Sequence, residues 1–304
     1  MRQQPRILIG TLHVDEQERD SCIAALSAQD YRNWEHRIFS GLGNAEAHRV
    51  LYDWFMENRH DYDMFIKLDA DMVLNSTAAL ARIVAVFERA PDLDHAVFMV
   101  HDWMSDLPIT GLHAFSNRVR WRHGDEGLFV DPDPERPGRK AVITGYPSPV
   151  AEHSPDPAPL QAYRFGVHRA SKIVQARRRW LDTAQAGFQW QLLDGIRATW
   201  LRAGDRRRLL ALLGAQSVLA GQAPLGTGSY TDADVGDVCS ALAARSEEAL
   251  TELLAPAWHS KTGRLWLRYR RTLFRALASH CGRAVVRQGR ALRQVLSSRT
   301  ADGG

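Results

Sequence analysis

Residues 62–74 read Tyr-Asp-Met-Phe-Ile-Lys-Leu-Asp-Ala-Asp-Met-Val-Leu. Met64, Phe65, Ile66 and Leu68 form a short apolar run broken only by Lys67, which is the length and composition of a buried strand. The run stops at Asp69-Ala70-Asp71. Carboxylates cannot be left unpaired in a core, because an isolated buried charge is expensive. In extended chain, side chains alternate with period two, so Asp69 and Asp71 would point the same way. Such a pair suits a hard divalent cation, Mn2+ or Mg2+, which usually shares its remaining positions with substrate phosphates. The plain alternative is a surface turn with two solvated aspartates, since short D-x-D strings are common. The apolar strand ahead of the pair favours a ligand site, because open α/β sheets bind ligands beyond the carboxyl ends of their strands.

Working outward, the residues before this stretch alternate in type. Arg6 to Leu12 reads as a first buried strand and runs into the polar loop His13-Val14-Asp15-Glu16. A helical pattern follows, with Cys22, Ile23, Ala25 and Leu26 on one face and acidic residues near its start, where they suit the helix dipole. Trp34 to Phe39 is a second strand, ending at Ser40-Gly41-Leu42-Gly43-Asn44. Ala45 to Asn58 is a second helix, with Val50, Leu51, Trp54 and Phe55 as its apolar face. Strand and helix therefore alternate through the first seventy residues, which predicts a mostly parallel sheet with helices on both faces.

The order of these elements resembles the nucleotide-binding half of a family 2 glycosyltransferase with the GT-A fold, over roughly residues 5 to 170. The segments that carry the likeness are ILIGTL, AALSAQDYRNWEHRIFSG and FIKLDADMVL, with Gln29, Tyr31 and Glu35 standing where that family repeats a glutamine, a tyrosine and an acidic residue. The resemblance implies an enzyme of the hexosyltransferase type. It would move a sugar from a nucleotide-diphosphate sugar to an acceptor hydroxyl with inversion, Asp69 and Asp71 holding the cation. It implies nucleoside contact at Thr11, Asp15 and Glu16, with Ser40, Lys67 and Asp69 completing the donor-binding set. Ser40-Gly41 stands where many members carry a base-reading aspartate, so the base is left open. The acceptor would be a glycan, a lipid-linked molecule or a small molecule.

Beyond the acidic pair, Thr77 to Arg89 reads as a helix, and Ala96 to Val100 and Pro108 to Phe115 as strands. His101, Asp102, Trp103 and His113 are candidates for sugar contact, or ordinary polar residues at strand ends. Residues 121–139, WRHGDEGLFVDPDPERPGR, hold too many prolines for regular structure. An inverting transfer needs a carboxylate to take the acceptor proton, and Asp131, then Asp125, are the candidate bases in this loop, with Glu135 a further carboxylate. By position, His153 matches the third metal ligand of the resemblance. His168 is its rival, although its basic neighbours Arg164, Arg169 and Lys172 suit a phosphate better.

From Ala170 the composition turns to Ala, Leu, Arg and Trp, and residues 171–304 read as a helical, basic region following a catalytic domain of residues 1–170. Gly187, Gly195, Gly204 and Gly214 are the expected helix breaks. Residues 257–299 hold ten arginines and one lysine with no acid. That run is either a solvated basic face or a surface for peripheral docking on an anionic membrane. No nucleic-acid module is present.

The chain has 304 residues, 45% of them hydrophobic, and a net charge of +4, enough apolar material for a folded core. No apolar run approaches a membrane span. Three widely spaced cysteines fit neither a disulfide framework nor a zinc site. The setting expected is cytoplasmic, or peripheral to the inner membrane face. Two other functional classes stay open. A nucleotidyltransferase would show a glycine-rich basic loop after the first strand, where this chain has His13-Val14-Asp15-Glu16. A non-catalytic nucleotide-sugar-binding protein of the same fold would lack the base.

Overall fold

The computed structural model describes residues 4–122, 133–136, 138–174, 180–220 and 233–257. In chain order the elements are β1 (Ile7–His13), α1 (Arg19–Ser27), β2 (Trp34–Ser40), α2 (Asn44–Asn58), β3 (Met64–Lys67), β4 (Met72–Leu74), α3 (Ala79–Arg89), β5 (Leu93–Asp102) and β6 (Leu107–Ser116). There follow β7 (Trp121–Arg122), β8 (Asp133–Pro134), β9 (Arg139–Ile143), β10 (Ala151–His153), α4 (Pro159–Val174), α5 (Trp180–Ala203), α6 (Arg206–Leu219), α7 (Ala233–Ala243) and α8 (Glu247–Ala257).

The architecture is the α/β one expected. Among the described residues an 8-stranded sheet runs in the order β2-β1-β3-β6-β5-β10-β4, with β9 also paired to β5. β6 and β4 run against the rest. The apolar alternation of the strands explains the two faces. Ile7, Ile9, Met64 and Ile66 join Cys22 and Leu26 of α1 and Leu80 and Ile83 of α3 in one core. Leu8, Phe39 and Phe65 join Leu51, Tyr52 and Phe55 of α2 in another. Helices thus cover both faces of the sheet, as the alternation of strand and helix predicts. Gln29 and Tyr31 turn out to be structural ties. Gln29 accepts from the Leu80 amide and donates to the Ser76 carbonyl, joining the end of α1 to the start of α3. Tyr31 donates to the Pro5 carbonyl.

A third core lies among the helices, where Ala162, Tyr163, Trp190, Leu193, Leu209, Leu212 and Leu250 pack with Met104. Residue 170 falls inside α4, whose whole length belongs to this helical layer. Of the four glycines read as breaks only Gly204 ends a helix, at φ 66°. Gly187 and Gly195 lie within α5 and Gly214 within α6. For Gly214 the reason is contact. A Cβ on Gly214 would sit 2.2 Å from the Tyr163 carbonyl oxygen, and one on Gly166 would sit 1.8 Å from that of Ala211. The missing side chains let α4 and α6 cross backbone against backbone.

Arg208 of α6 pins this layer to the sheet. It is 6% exposed, donates through Nε to the Met104 carbonyl at 3.0 Å and through Nη2 to that of Trp103. Among the described residues no helix is long and apolar enough to cross a membrane, and Cys22 and Cys239 are free and buried. Residues 258–304, with nearly all of the basic run, lie outside the described residues.

Candidate metal and donor site

The carboxyl ends of β3, β5 and β10 fall at the same edge of the sheet, because these three strands run parallel. β3 stops at Lys67, and Asp69-Ala70-Asp71 is a turn closed by the Met72 amide on the Asp69 carbonyl at 2.9 Å. The two aspartates therefore do not lie side by side on extended chain, as the period of two would have them. They take separate partners. Asp69 is held by Lys67, whose Nζ lies 3.0 Å from its carboxylate. Asp71 is carried towards β10, because the chain crosses from the middle of the sheet to pair β4 against it, Met72 opposite His153.

That register sets the site. The Ser154 amide donates to the Asp71 carbonyl at 2.7 Å and its hydroxyl to Asp71 Oδ2 at 2.9 Å. Ser154 has φ 46°, a left-handed conformation that a non-glycine residue adopts at a cost of about 1–3 kcal/mol and that clusters at functional sites. His153 Nε2 lies 3.3 Å from Asp71 Oδ2, and its Nδ1 donates to Asp102 Oδ1 at 2.7 Å. Asp102 is fully buried at the end of β5, opposite His153 in the β5–β10 ladder. Its other oxygen accepts from the Ser105 amide at 2.9 Å and from the Ser105 hydroxyl. Burial alone would lower the His153 pKa, but the carboxylates of Asp71 and Asp102 lift it to about 9.

The sugar-contact candidates are redistributed. Asp102 has no accessible surface, so it cannot touch a sugar. Trp103 lies under two guanidinium groups, Arg208 at 3.7 Å and Arg207 at 4.4 Å from its ring. His113 is engaged by His95 across the sheet at 3.1 Å. His101 lies between Glu152 and Asp106, at 2.6 and 3.2 Å, which raise its pKa. His168 lies in the middle of α4 rather than at a helix start.

On the donor side, Thr11 is fully buried with its hydroxyl 2.9 Å from His36 Nε2, so it offers a nucleoside no accessible surface. Ser40 ends β2 beside His13, 3.2 Å away. Asp15 is exposed, 3.8 Å from Arg164. Glu16 folds back so that Oε2 accepts from the Val14 amide at 2.6 Å. Burial, with smaller contributions from Asp71 and Asp69, pushes the Glu16 carboxyl up to about 7. Asp125 and Asp131 lie in residues 123–132, outside the described residues, between β7 and β8. Glu135 is exposed.

Asp71 and His153 fit a divalent cation. They present an oxygen and a nitrogen to one point, and the imidazole's other nitrogen is held by a buried carboxylate, the arrangement usual behind a metal-ligating histidine. Among the described residues no group of three His, Cys, Asp or Glu side chains converges as a complete cage. Cations of the magnesium type are commonly bound by one or two carboxylates, with substrate phosphates filling other positions.

No protein-family model matches the chain, and no curated protein matches it. Among solved structures it is similar to a glycosyltransferase involved in the glycosylation of the major capsid of PBCV-1, at 18% identity over 49% of this chain and 94% of that one, with a TM-score of 0.30. It is also similar to S. aureus TarS 1-349, at 9% identity over 70% of this chain and 80% of that one, with a TM-score of 0.32. Both likenesses are distant.

Proposed function

We propose that the protein is a glycosyltransferase that moves a sugar from a nucleotide-diphosphate sugar to an acceptor hydroxyl with the help of Mn2+ or Mg2+. The observation that carries this reading is the meeting of Asp71, in the turn before β4, with His153 and the buried Asp102 at the ends of the parallel strands β10 and β5, with Asp69 in the same turn. Asp71 and His153 would hold the cation, with Asp69 beside them. When bound, the cation would neutralise the charge that builds on the departing nucleoside diphosphate. Lys67, 8% exposed beside Asp69, adds a fixed positive charge to the same edge. Glu16, its carboxyl pushed up chiefly by burial and further by Asp71 and Asp69, lies close enough to the acidic pair to belong to the same donor-binding set. Asp131, or Asp125, would take the proton of the acceptor hydroxyl. Inversion is what the sequence resemblance to family 2 glycosyltransferases implies.

Thermal shift and calorimetry with nucleoside diphosphates, each with and without manganese, test the reading. A ligand that binds only the folded state at 100 times its dissociation constant stabilises by about 2.7 kcal/mol. At least one nucleoside diphosphate should raise the melting temperature only when manganese is present, and Asp71→Ala should abolish that shift. An unchanged manganese-dependent shift in Asp71→Ala would refute the metal assignment.

A further inference from the structure

Asp102 is an aspartate with no accessible surface, at a position that reads as a sugar contact and is sealed from any sugar. All its hydrogen bonds run inward. Oδ1 accepts from His153 Nδ1 at 2.7 Å, and Oδ2 accepts from the amide and the hydroxyl of Ser105. Burying a carboxylate is costly unless it is both paired and hydrogen-bonded, and here both conditions are met. His153 is further fixed by the Trp103 amide on its carbonyl at 3.1 Å and by the Phe165 ring, 5.9 Å away centre to centre.

We propose that Asp102 is a positioning residue, its carboxylate pinned by Ser105 so that His153 keeps a proton on Nδ1 and Nε2, which faces Asp71, is the nitrogen that gives up its proton and takes the cation. The role as it bears on the cation rests on the metal-dependent reading above. The hold on the imidazole does not.

The Ser105 amide makes the hypothesis sharp. A backbone N–H can only donate. In Asp102→Asn, a near-isosteric change, the amide oxygen must therefore face Ser105, and the side-chain NH2 must face His153. Nδ1 then becomes an acceptor, and the single proton of the neutral ring moves to Nε2. An Nε2 that carries hydrogen cannot ligate a metal.

The experiment has two readouts on the intact chain. The first is the tautomer of His153 by 15N NMR in chelator, on the alkaline side of its titration, where the ring is neutral. Wild type should show Nδ1–H and Asp102→Asn should show Nε2–H. The same tautomer in both proteins overturns the proposal. The second is manganese affinity without donor, from the free Mn2+ signal in electron paramagnetic resonance. Loss of such a partner typically costs about 10- to 100-fold, and Asp102→Asn should fall in that range. Wild-type affinity in Asp102→Asn overturns the link to the metal. The metal-dependent reading fails on a different result, Asp71→Ala binding manganese as tightly as wild type, and the tautomer measurement still decides what Asp102 does. Ser105→Ala keeps the carboxylate and the backbone donor, so it should keep the wild-type tautomer. A switched tautomer there would place the control in Ser105 rather than in Asp102.

Discussion

The turn at Asp69-Ala70-Asp71 and the crossing of α4 over α6 are both held tightly, by opposite means. At the turn, position is fixed by charge. Lys67 holds Asp69, while Ser154 and His153 hold Asp71. At the crossing it is fixed by absence of bulk, with Gly166 and Gly214 letting two backbones touch. The histidines His153 and His168 of the two regions differ accordingly. Carboxylates raise the pKa of His153, whereas His168 in α4 is pushed well below its ordinary value by burial and then by Lys172 and Arg169. A charged site can change its occupant at constant shape, because its partners are ionic. A glycine crossing has a single geometry. Changes at the sheet end should therefore register in binding and catalysis, and changes at the crossing in stability.

The largest expected effect asks how far the charged region extends. Asp131→Asn should keep donor binding and lose transfer by about 100- to 10,000-fold, the usual contribution of a general base. Steady-state rates and donor calorimetry on the same protein check it. Full transfer in Asp131→Asn with loss in Asp125→Asn would move the base to Asp125.

Next comes the crossing. Gly166→Ala and Gly214→Ala each force a methyl against a carbonyl oxygen, and overpacking of this kind costs about 1–3 kcal/mol, occasionally more. Urea unfolding should show that loss in each, with manganese affinity unchanged. The pair should be less than additive, because helices parted by one methyl have room for the second. Full additivity would mean that the two glycines do not share one contact. A fall in manganese affinity would mean that the two regions are coupled, the route being Arg208 on the carbonyls of Trp103 and Met104, next to the Trp103 amide that bonds His153.

The same contrast explains what could be read from the sequence. The sheet, its helices and the acidic pair were legible because their signals are local: an apolar run of strand length that ends on carboxylates. The turn geometry was not, since whether chain stays extended past Leu68 depends on where β4 finds a partner, and that partner is β10. The choice between sugar contact and an ordinary polar residue at a strand end stays open for Asp102 in the sequence for a similar reason. At the end of a strand, neighbouring side chains face opposite ways, and only the pairing of Asp102 with His153 across β5 and β10 decides which one points inward. His101 and Asp102 have equal polar credentials in one dimension. Gly214 was read as a break because a helical glycine means either a stop or a close approach, and the deciding contact, Tyr163, is distant in sequence. Ser154 carried no signal, because its role comes from a backbone conformation and a neighbour on another strand.

The smallest expected effect concerns His168. With its folded-state pKa well below the ordinary value of about 6.5, the ring stays neutral in the folded protein while the unfolded chain takes up a proton as pH falls through about 6.5. The unfolded state then binds more protons, so stability declines on acidification by up to about 1.4 kcal/mol per pH unit until the folded ring also titrates. The stability that His168 contributes is thus present above pH about 6.5 and is lost below it. His153, whose folded pKa is raised to about 9, acts over the window between about 6.5 and 9 and leaves this acid limb to other groups. His168→Gln keeps a polar side chain of similar reach and removes the titration. Urea midpoints taken at steps from pH 7 down to 5 should fall less steeply in His168→Gln than in wild type. Equal slopes would mean that His168 titrates in the folded protein as it does in the unfolded chain, and the helical layer would then take up a charge on acidification, erasing this part of its difference from the sheet end.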